Sequence, residues 1–199
     1  MSTHTEISPA MIGKLRSTTG AGIMLCKEAL QEAEGDFDKA IEILRKKGLQ
    51  SASKKSDRAT SEGLIESYIH FGGKIGVLLE LKCETDFVGS NTEFKELARD
   101  ICIHIAASDP QFVTREDVPE SVLEKEREIV KAQIENKPPH AVEKIVEGKL
   151  EKFYAENCLL DQPFVKDAER SVKEIINEKI AKLGENVTIG RFVRYKLGE

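Results

Sequence analysis

Leu64-Ile65-Glu66-Ser67-Tyr68-Ile69-His70-Phe71-Gly72-Gly73-Lys74-Ile75-Gly76-Val77-Leu78-Leu79-Glu80-Leu81-Lys82-Cys83 decides the fold of this chain. The first eight residues are rich in β-branched and aromatic side chains, which suit a pleated, half-buried surface. Gly72-Gly73 is a hairpin signal, because tight hairpin turns need positive φ at their centre. The return run is apolar in the middle, which indicates burial on both faces there. A hairpin alone is marginal in water. A third strand stands at the far end, where Val187, Ile189, Arg191, Val193, Tyr195 and Leu197 alternate with Thr188, Gly190, Phe192, Arg194 and Lys196. Together these runs predict a small antiparallel sheet.

Helical text surrounds the hairpin. Upstream, Thr19-Gly20-Ala21-Gly22-Ile23-Met24-Leu25-Cys26-Lys27-Glu28-Ala29-Leu30 reads as a glycine-hinged turn between two short helices. Gly20 and Gly22 permit positive φ, and Gly35 and Gly48 stand where helices favour a left-handed residue after their last turn. Ser8-Pro9 opens the first helix, with Met11, Ile12 and Leu15 inward. The second carries Met24, Ala29 and Leu30. The third runs from a capping Asp36 through Ala40, Ile41 and Leu44 to Gly48. This predicts a three-helix head over 1–48 with a very small core, a linker over 49–61 and an α+β body over 62–199. Six basic residues and one acidic residue lie between Leu44 and Arg58, a run that serves as a solvated face or meets an acidic protein surface.

Downstream of the hairpin, Asn91 or Thr92 caps a helix carrying Phe94, Leu97, Ala98, Ile101, Ile105 and Ala106, stopped at Asp109-Pro110. Thr114-Arg115-Glu116-Asp117 is a capping signal. Residues 119–136 and 141–157 form two amphipathic helices separated by Pro138-Pro139, read as an antiparallel pair. Residues 159–164 read as a loop and 171–183 as a last helix ending at Gly184.

Composition excludes several classes. With 30 Lys+Arg against 35 Asp+Glu, the net charge is -5, opposite to the basic field that backbone binding to nucleic acid requires. No apolar run approaches a membrane span. Met1-Ser2-Thr3-His4-Thr5-Glu6 lacks the pattern of a secretion signal, so the expected compartment is the cytoplasm. Cys26, Cys83, Cys102 and Cys158 form no CxxC pair and read as core residues rather than metal ligands.

Directly after the return strand stands Cys83-Glu84-Thr85-Asp86-Phe87-Val88, which places a carboxylate beside a large aromatic where a strand gives way to a turn. By residue type alone, Phe87 fits a core and Asp86 a cap; strand-end loops also touch partners. The Thr85-Asp86-Phe87-Val88 step resembles the signature of the elongation factor Ts family. His104-Ile105-Ala106-Ala107, Gln162-Pro163-Phe164 and Arg191-Phe192-Val193-Arg194-Tyr195 follow in the same order, and the wording from Thr19 to Leu30 resembles the family's head. The likeness runs from about Ile7 to Glu199 and is to the family's short form. Leu25 and Ile23 depart from the family's usual acidic residue and methionine.

The resemblance implies a ubiquitin-associated-like three-helix head, an α+β body and a guanine-nucleotide exchange factor. Such a factor binds elongation factor Tu carrying GDP, displaces Mg²⁺ and promotes GDP release, with no catalysis, cofactor or metal of its own. It implies that Thr85, Asp86, Phe87 and Val88 perturb the Mg²⁺ region of the GTPase. Arg16, Ile23, Met24 and Lys27 would dock the head, with Ile75, Gly76 and His104 as lesser contacts. By residue type, Ile23 and Met24 fit core packing equally well, and His104 fits a satisfied helix histidine. The resemblance also implies a homodimer formed through the sheets. Two other readings remain: an adaptor built on the head, and a thiol hydrolase using Cys83 or Cys102 with His104. The second is weakened because residues two apart on a helix point away from one another.

Overall fold

The computed structural model describes residues 7–134 and 138–199. The reading of residues 1–6, and the tail of the helix expected over 119–136, fall outside the described residues. The chain divides into two compact units. One comprises residues up to 63, 82–94 and 176–188; the other comprises 64–81, 95–175 and 189–199.

The first unit begins with α1 (Pro9–Thr19), α2 (Ile23–Glu32) and α3 (Phe37–Ser53). Their ends follow the expected chemistry. Ser8 Oγ accepts the Met11 N–H at 3.2 Å, and Asp36 Oδ1 accepts the Lys39 N–H at 3.0 Å, satisfying donors that a helix start leaves free. Gly20 takes φ 68 and donates its N–H to the Arg16 carbonyl. Gly35 (φ 85) donates to the Leu30 carbonyl. Leu15, Cys26, Ala29, Leu30, Ala33, Ala40 and Leu44 form the core of the three helices.

Three expectations are corrected here. Gly22 is extended (φ -61) and precedes α2 without a left-handed turn. Gly48 does not end α3, which continues five residues further and buries Ala52; a β-carbon at Gly48 would lie 3.6 Å from Ala181 Cβ. Met24 is not in the core. Cys26, Ala29, Leu30 and Ala33 already supply the inward stripe at helical spacing, so Met24 turns outward.

The sheet comprises β1 (Glu62–Ile69), β2 (Ile75–Cys83) and β5 (Val187–Lys196), in the order β1-β2-β5. Gly72 (φ 87) and Gly73 (φ 68) make the tight turn between β1 and β2. The Leu197 N–H donates to the Lys74 carbonyl, so the end of β5 meets the start of β2 and the pair is antiparallel. After β2 come a single-turn helix, α4 (Asp86–Gly89), and then α5 (Thr92–Ser108). The Asn91 side chain accepts the Glu93 N–H at 2.8 Å, as its capping role requires.

In the second unit α5 covers one face of the sheet. Arg99 donates to the Ser67 carbonyl and lies over the Tyr68 ring, Cys102 donates to the Glu66 carbonyl, and Arg194 donates to the Ala106 carbonyl. Residues 66, 68 and 194 therefore face the helix. By strand alternation Ile65, Ile69, Val193 and Tyr195 face the other way; they are exposed, as is Leu78 between the buried Val77 and Leu79, so the middle of β2 is buried on the α5 face only and not on both faces as its apolar run indicated.

α6 (Glu120–Ala132) packs on α7 (Pro139–Asn157). Asp117 accepts from the Thr114 N–H and hydroxyl, but the bonds close a turn, and α6 starts only after Pro119. Beyond α7 the loop expected over 159–164 ends in a short strand, β3 (Pro163–Phe164), which pairs antiparallel with β4 (Asp167–Ser171) ahead of α8 (Val172–Leu183). β3 is too short for any periodicity to reveal it.

Candidate partner-binding site

Residues 84–89 form a turn rooted at several points, all within the first unit. Thr85 is extended (φ -129, ψ 155), and its hydroxyl accepts the Val88 N–H at 3.4 Å, capping α4. Thr85 also donates twice to one carboxylate 100 residues away: its N–H to Glu185 Oε2 at 3.0 Å and its Oγ1 to Glu185 Oε1 at 2.7 Å. The Cys83 thiol donates to the Thr85 carbonyl at 3.1 Å; burial, with the Glu185 charge nearby, pushes that thiol's pKa up. Glu84 Oε1 accepts the Asn186 N–H at 2.6 Å and pairs with Arg58 at 3.5 Å. Asn186, itself buried, donates its side-chain amide to the Ser56 and Arg58 carbonyls at 3.2 and 2.9 Å.

Above this root the turn sorts its side chains. Val88 and Gly89 are buried, and a β-carbon on Gly89 would come within 3.4 Å of the Gly63 carbonyl oxygen. Asp86 and Phe87 point outward, with Phe87 82% exposed. A phenylalanine that exposed is contrary to the usual burial of the type. It stands beside an exposed carboxylate on a turn whose base is fixed.

The first unit also carries the head residues. Ile23 is 53% and Met24 64% exposed, and Leu25 beside them is exposed too, so three consecutive apolar side chains meet solvent at the start of α2. Arg16 and Lys27 are exposed. The choice between core and surface that residue type left open is thus decided for Ile23 and Met24.

The second unit holds the rest. Ile75 and Gly76 are half-buried; a β-carbon on Gly76 would lie 3.1 Å from Ile69 Cδ1, so the glycine makes room for that side chain. His104 is 0% exposed. Its Nδ1 accepts the Val165 N–H at 3.1 Å, which requires the proton on Nε2. Nε2 in turn faces Gln162 Oε1 at 2.8 Å, and Gln162 is held that way round by donating to the Glu156 and Ser108 carbonyls. His104 is therefore a satisfied core histidine with no side-chain surface to offer a partner.

The same geometry dismantles the thiol-hydrolase arrangement. Both ring nitrogens of His104 are engaged elsewhere, and Cys102 points at the Glu66 carbonyl with its pKa pushed up to about 12 by burial. A thiol so protonated is no nucleophile. Among the described residues, no group of three His, Cys, Asp or Glu side chains is placed to hold a metal, and no helix is long and apolar enough to cross a membrane. A cleft of about 330 Å³ between α6 and α7, lined in part by Val142, Val146, Leu150 and Tyr154, contains none of the residues singled out above.

Glu185 and Asn186 escaped the sequence reading. They follow Gly184, which signals only a helix end, and nothing local ties them to Thr85. The link exists only once β5 lies beside β2.

An exposed aromatic and carboxylate on an anchored turn, with an apolar patch on a helical head, suit a protein that acts by touching another protein. The chain matches the family model described as Elongation factor TS over residues 26–199. Elongation factor Ts of Thermodesulfovibrio yellowstonii is 59% identical over 194 residues, covering 97% of each chain. The same-named protein of Thermotoga neapolitana is 58% identical over 194 residues, 98% of each, and that of Pseudothermotoga lettingae 59% over 196 residues, 98% of this chain and 99% of its own. The chain belongs to the elongation factor Ts family. That family's role is nucleotide exchange on elongation factor Tu, in protein biosynthesis.

Proposed function

We propose that this protein binds elongation factor Tu in its GDP form, dislodges Mg²⁺ through residues 85–88 and so promotes GDP release, acting in the cytoplasm. The observation that carries the reading is the exposure of Phe87 beside Asp86 on an anchored turn. Phe87 enters an apolar gap of the GTPase, where burying its ring contributes about 1.5–3 kcal/mol. Asp86 brings negative charge toward the groups that hold Mg²⁺. Because the cation is often the largest local charge at a phosphate site, its loss loosens the diphosphate. Arg16, Ile23, Met24 and Lys27 dock the head on the nucleotide domain; the exposed apolar run at residues 23–25 supports this. Ile75 and Gly76 contribute through the backbone of β2, while His104 acts from the interior by fixing residue 165. Linkage requires that whatever the factor takes from GDP affinity, GDP takes from factor affinity.

The protein works as a homodimer joined through its sheets. The support is the uncovered sheet face, where Ile65, Ile69, Leu78, Val193 and Tyr195 are exposed on three adjacent strands.

Stopped-flow release of a fluorescent GDP analogue from elongation factor Tu tests the exchange reading. Acceleration that rises with this protein's concentration and is lost in both Asp86→Ala and Phe87→Ala is the expected result. A folded wild-type chain that leaves GDP release unchanged at micromolar concentration would overturn it.

A further inference from the structure

Resting on the exchange reading, we propose that Glu185 is a positioning residue for exchange: its carboxylate clamps Thr85 and thereby aims Asp86 and Phe87. The argument begins with what α4 cannot do. A single turn of four residues has no helical stability of its own, so the direction of its side chains must be set by its root.

At Thr85 the anchor of that root is Glu185. One carboxylate takes both donors of a single residue, the Thr85 N–H and Oγ1, at 3.0 and 2.7 Å. Charge-assisted bonds of this kind are among the stronger hydrogen bonds in proteins. Two contacts to one residue fix both its position and the χ1 of its hydroxyl, and that same hydroxyl receives the Val88 N–H inside α4. The order is thus carboxylate, hydroxyl, helix start, exposed Asp86 and Phe87.

A reciprocal bond braces the clamp from the other side. Glu84 accepts the Asn186 N–H at 2.6 Å, and the Asn186 side chain is tied to the Ser56 and Arg58 carbonyls. Residues 84–85 and 185–186 thus grip each other through carboxylate-to-backbone bonds running in opposite directions. The gain is preorganisation: a turn already held in its working geometry loses little freedom on docking. With the clamp cut, the head still docks, but the turn delivers its aromatic and its charge less often to the right place.

The clamp needs an acceptor for the Thr85 N–H and a partner for its hydroxyl, not a negative charge as such. A glutamine can supply both, its carbonyl accepting from the N–H and its amide donating to the hydroxyl. Glu185→Ala and Glu185→Gln therefore separate positioning from a direct charge effect on the GTPase. In the stopped-flow assay Glu185→Ala is expected to lower the maximal GDP-release rate about tenfold, with the half-saturating concentration moved less than about threefold and Glu185→Gln within about threefold of wild type throughout. In the free chain, hydrogen exchange at the Thr85 and Val88 amides is expected to quicken at least about tenfold in Glu185→Ala and to stay protected in Glu185→Gln.

The proposal is overturned if Glu185→Ala keeps the maximal rate, if Glu185→Gln is as poor as Glu185→Ala, or if amide protection is the same in all three. If Glu185→Ala does not fold, Glu185→Asp draws the carboxylate back from Thr85 by one methylene, leaves the Thr85 cap on Val88 in place and carries the same two readouts. A wild-type chain inert toward GDP release would sink the exchange reading and this role with it. Unchanged protection beside an active wild type would sink the clamp alone.

Discussion

Phe87 stands at the surface and His104 in the interior. Phe87 is exposed, so Phe87→Ala removes no core contact. The expected outcome is loss of exchange activity with a urea midpoint indistinguishable from wild type, whereas a core phenylalanine would cost about 3–5 kcal/mol when truncated. His104 behaves oppositely. Burial holds its imidazole pKa below the ordinary 6.5, with the Gln162 hydrogen bond opposing that shift in part. The unfolded chain takes up a proton near pH 6.5 while the folded chain still refuses it, so the unfolded state binds more protons in that window. Stability from this site is therefore complete above pH 6.5 and is lost as the pH falls below it, by at most about 1.4 kcal/mol per pH unit. Urea midpoints at pH 7.5, 6.5 and 5.5 are expected to fall more steeply for wild type than for His104→Gln; parallel slopes would contradict this. Sequence reading identified both residues but could place neither, because a side chain's burial depends on what the rest of the chain brings against it.

At the scale of the element, helix starts were the most legible feature. Ser8, Asp36 and Asn91 cap as their side chains dictate, since an N-cap needs only the residue itself and the next turn. Glycines at helix ends were less so. Gly20 has the left-handed backbone expected of it (φ 68), and a β-carbon there would meet the Lys182 side chain at 3.0 Å. Gly20→Ala is expected to destabilise by about 1–2 kcal/mol. Gly48 reads alike in sequence but lies inside α3 with room for a methyl group, 3.6 Å from Ala181 Cβ. Gly48→Ala is expected to stabilise by about 1 kcal/mol, through helix propensity. Thermal or urea unfolding of the two variants decides both, and the opposite sign at position 48 would mean that α3 ends where the sequence alone would end it.

For the whole molecule, the uncovered sheet face leaves apolar side chains in solvent. Five exposed apolar side chains on β1, β2 and β5 form the kind of patch that marks an interface. Leu78→Lys, at the centre of the middle strand, puts a charge into that face without touching the α5 side. The expected result is a light-scattering mass that drops from two chains to one at micromolar concentration, with unchanged circular dichroism. A wild-type mass of one chain would refute the dimer outright.

The sequence by itself determined the family and most of the elements, though not β3, β4 or the end of α3: apolar periodicity, turn glycines and caps act over a few residues, and the ordered motifs from Thr85 to Tyr195 are specific as text. Tertiary structure alone decided which of those residues face outward, that Met24 leaves the head core, that His104 enters the body core, and that Glu185 grips Thr85 across 100 residues of chain. The reason is range. Local chemistry fixes φ and ψ, whereas burial and long-range hydrogen bonds exist only after distant segments have been brought together.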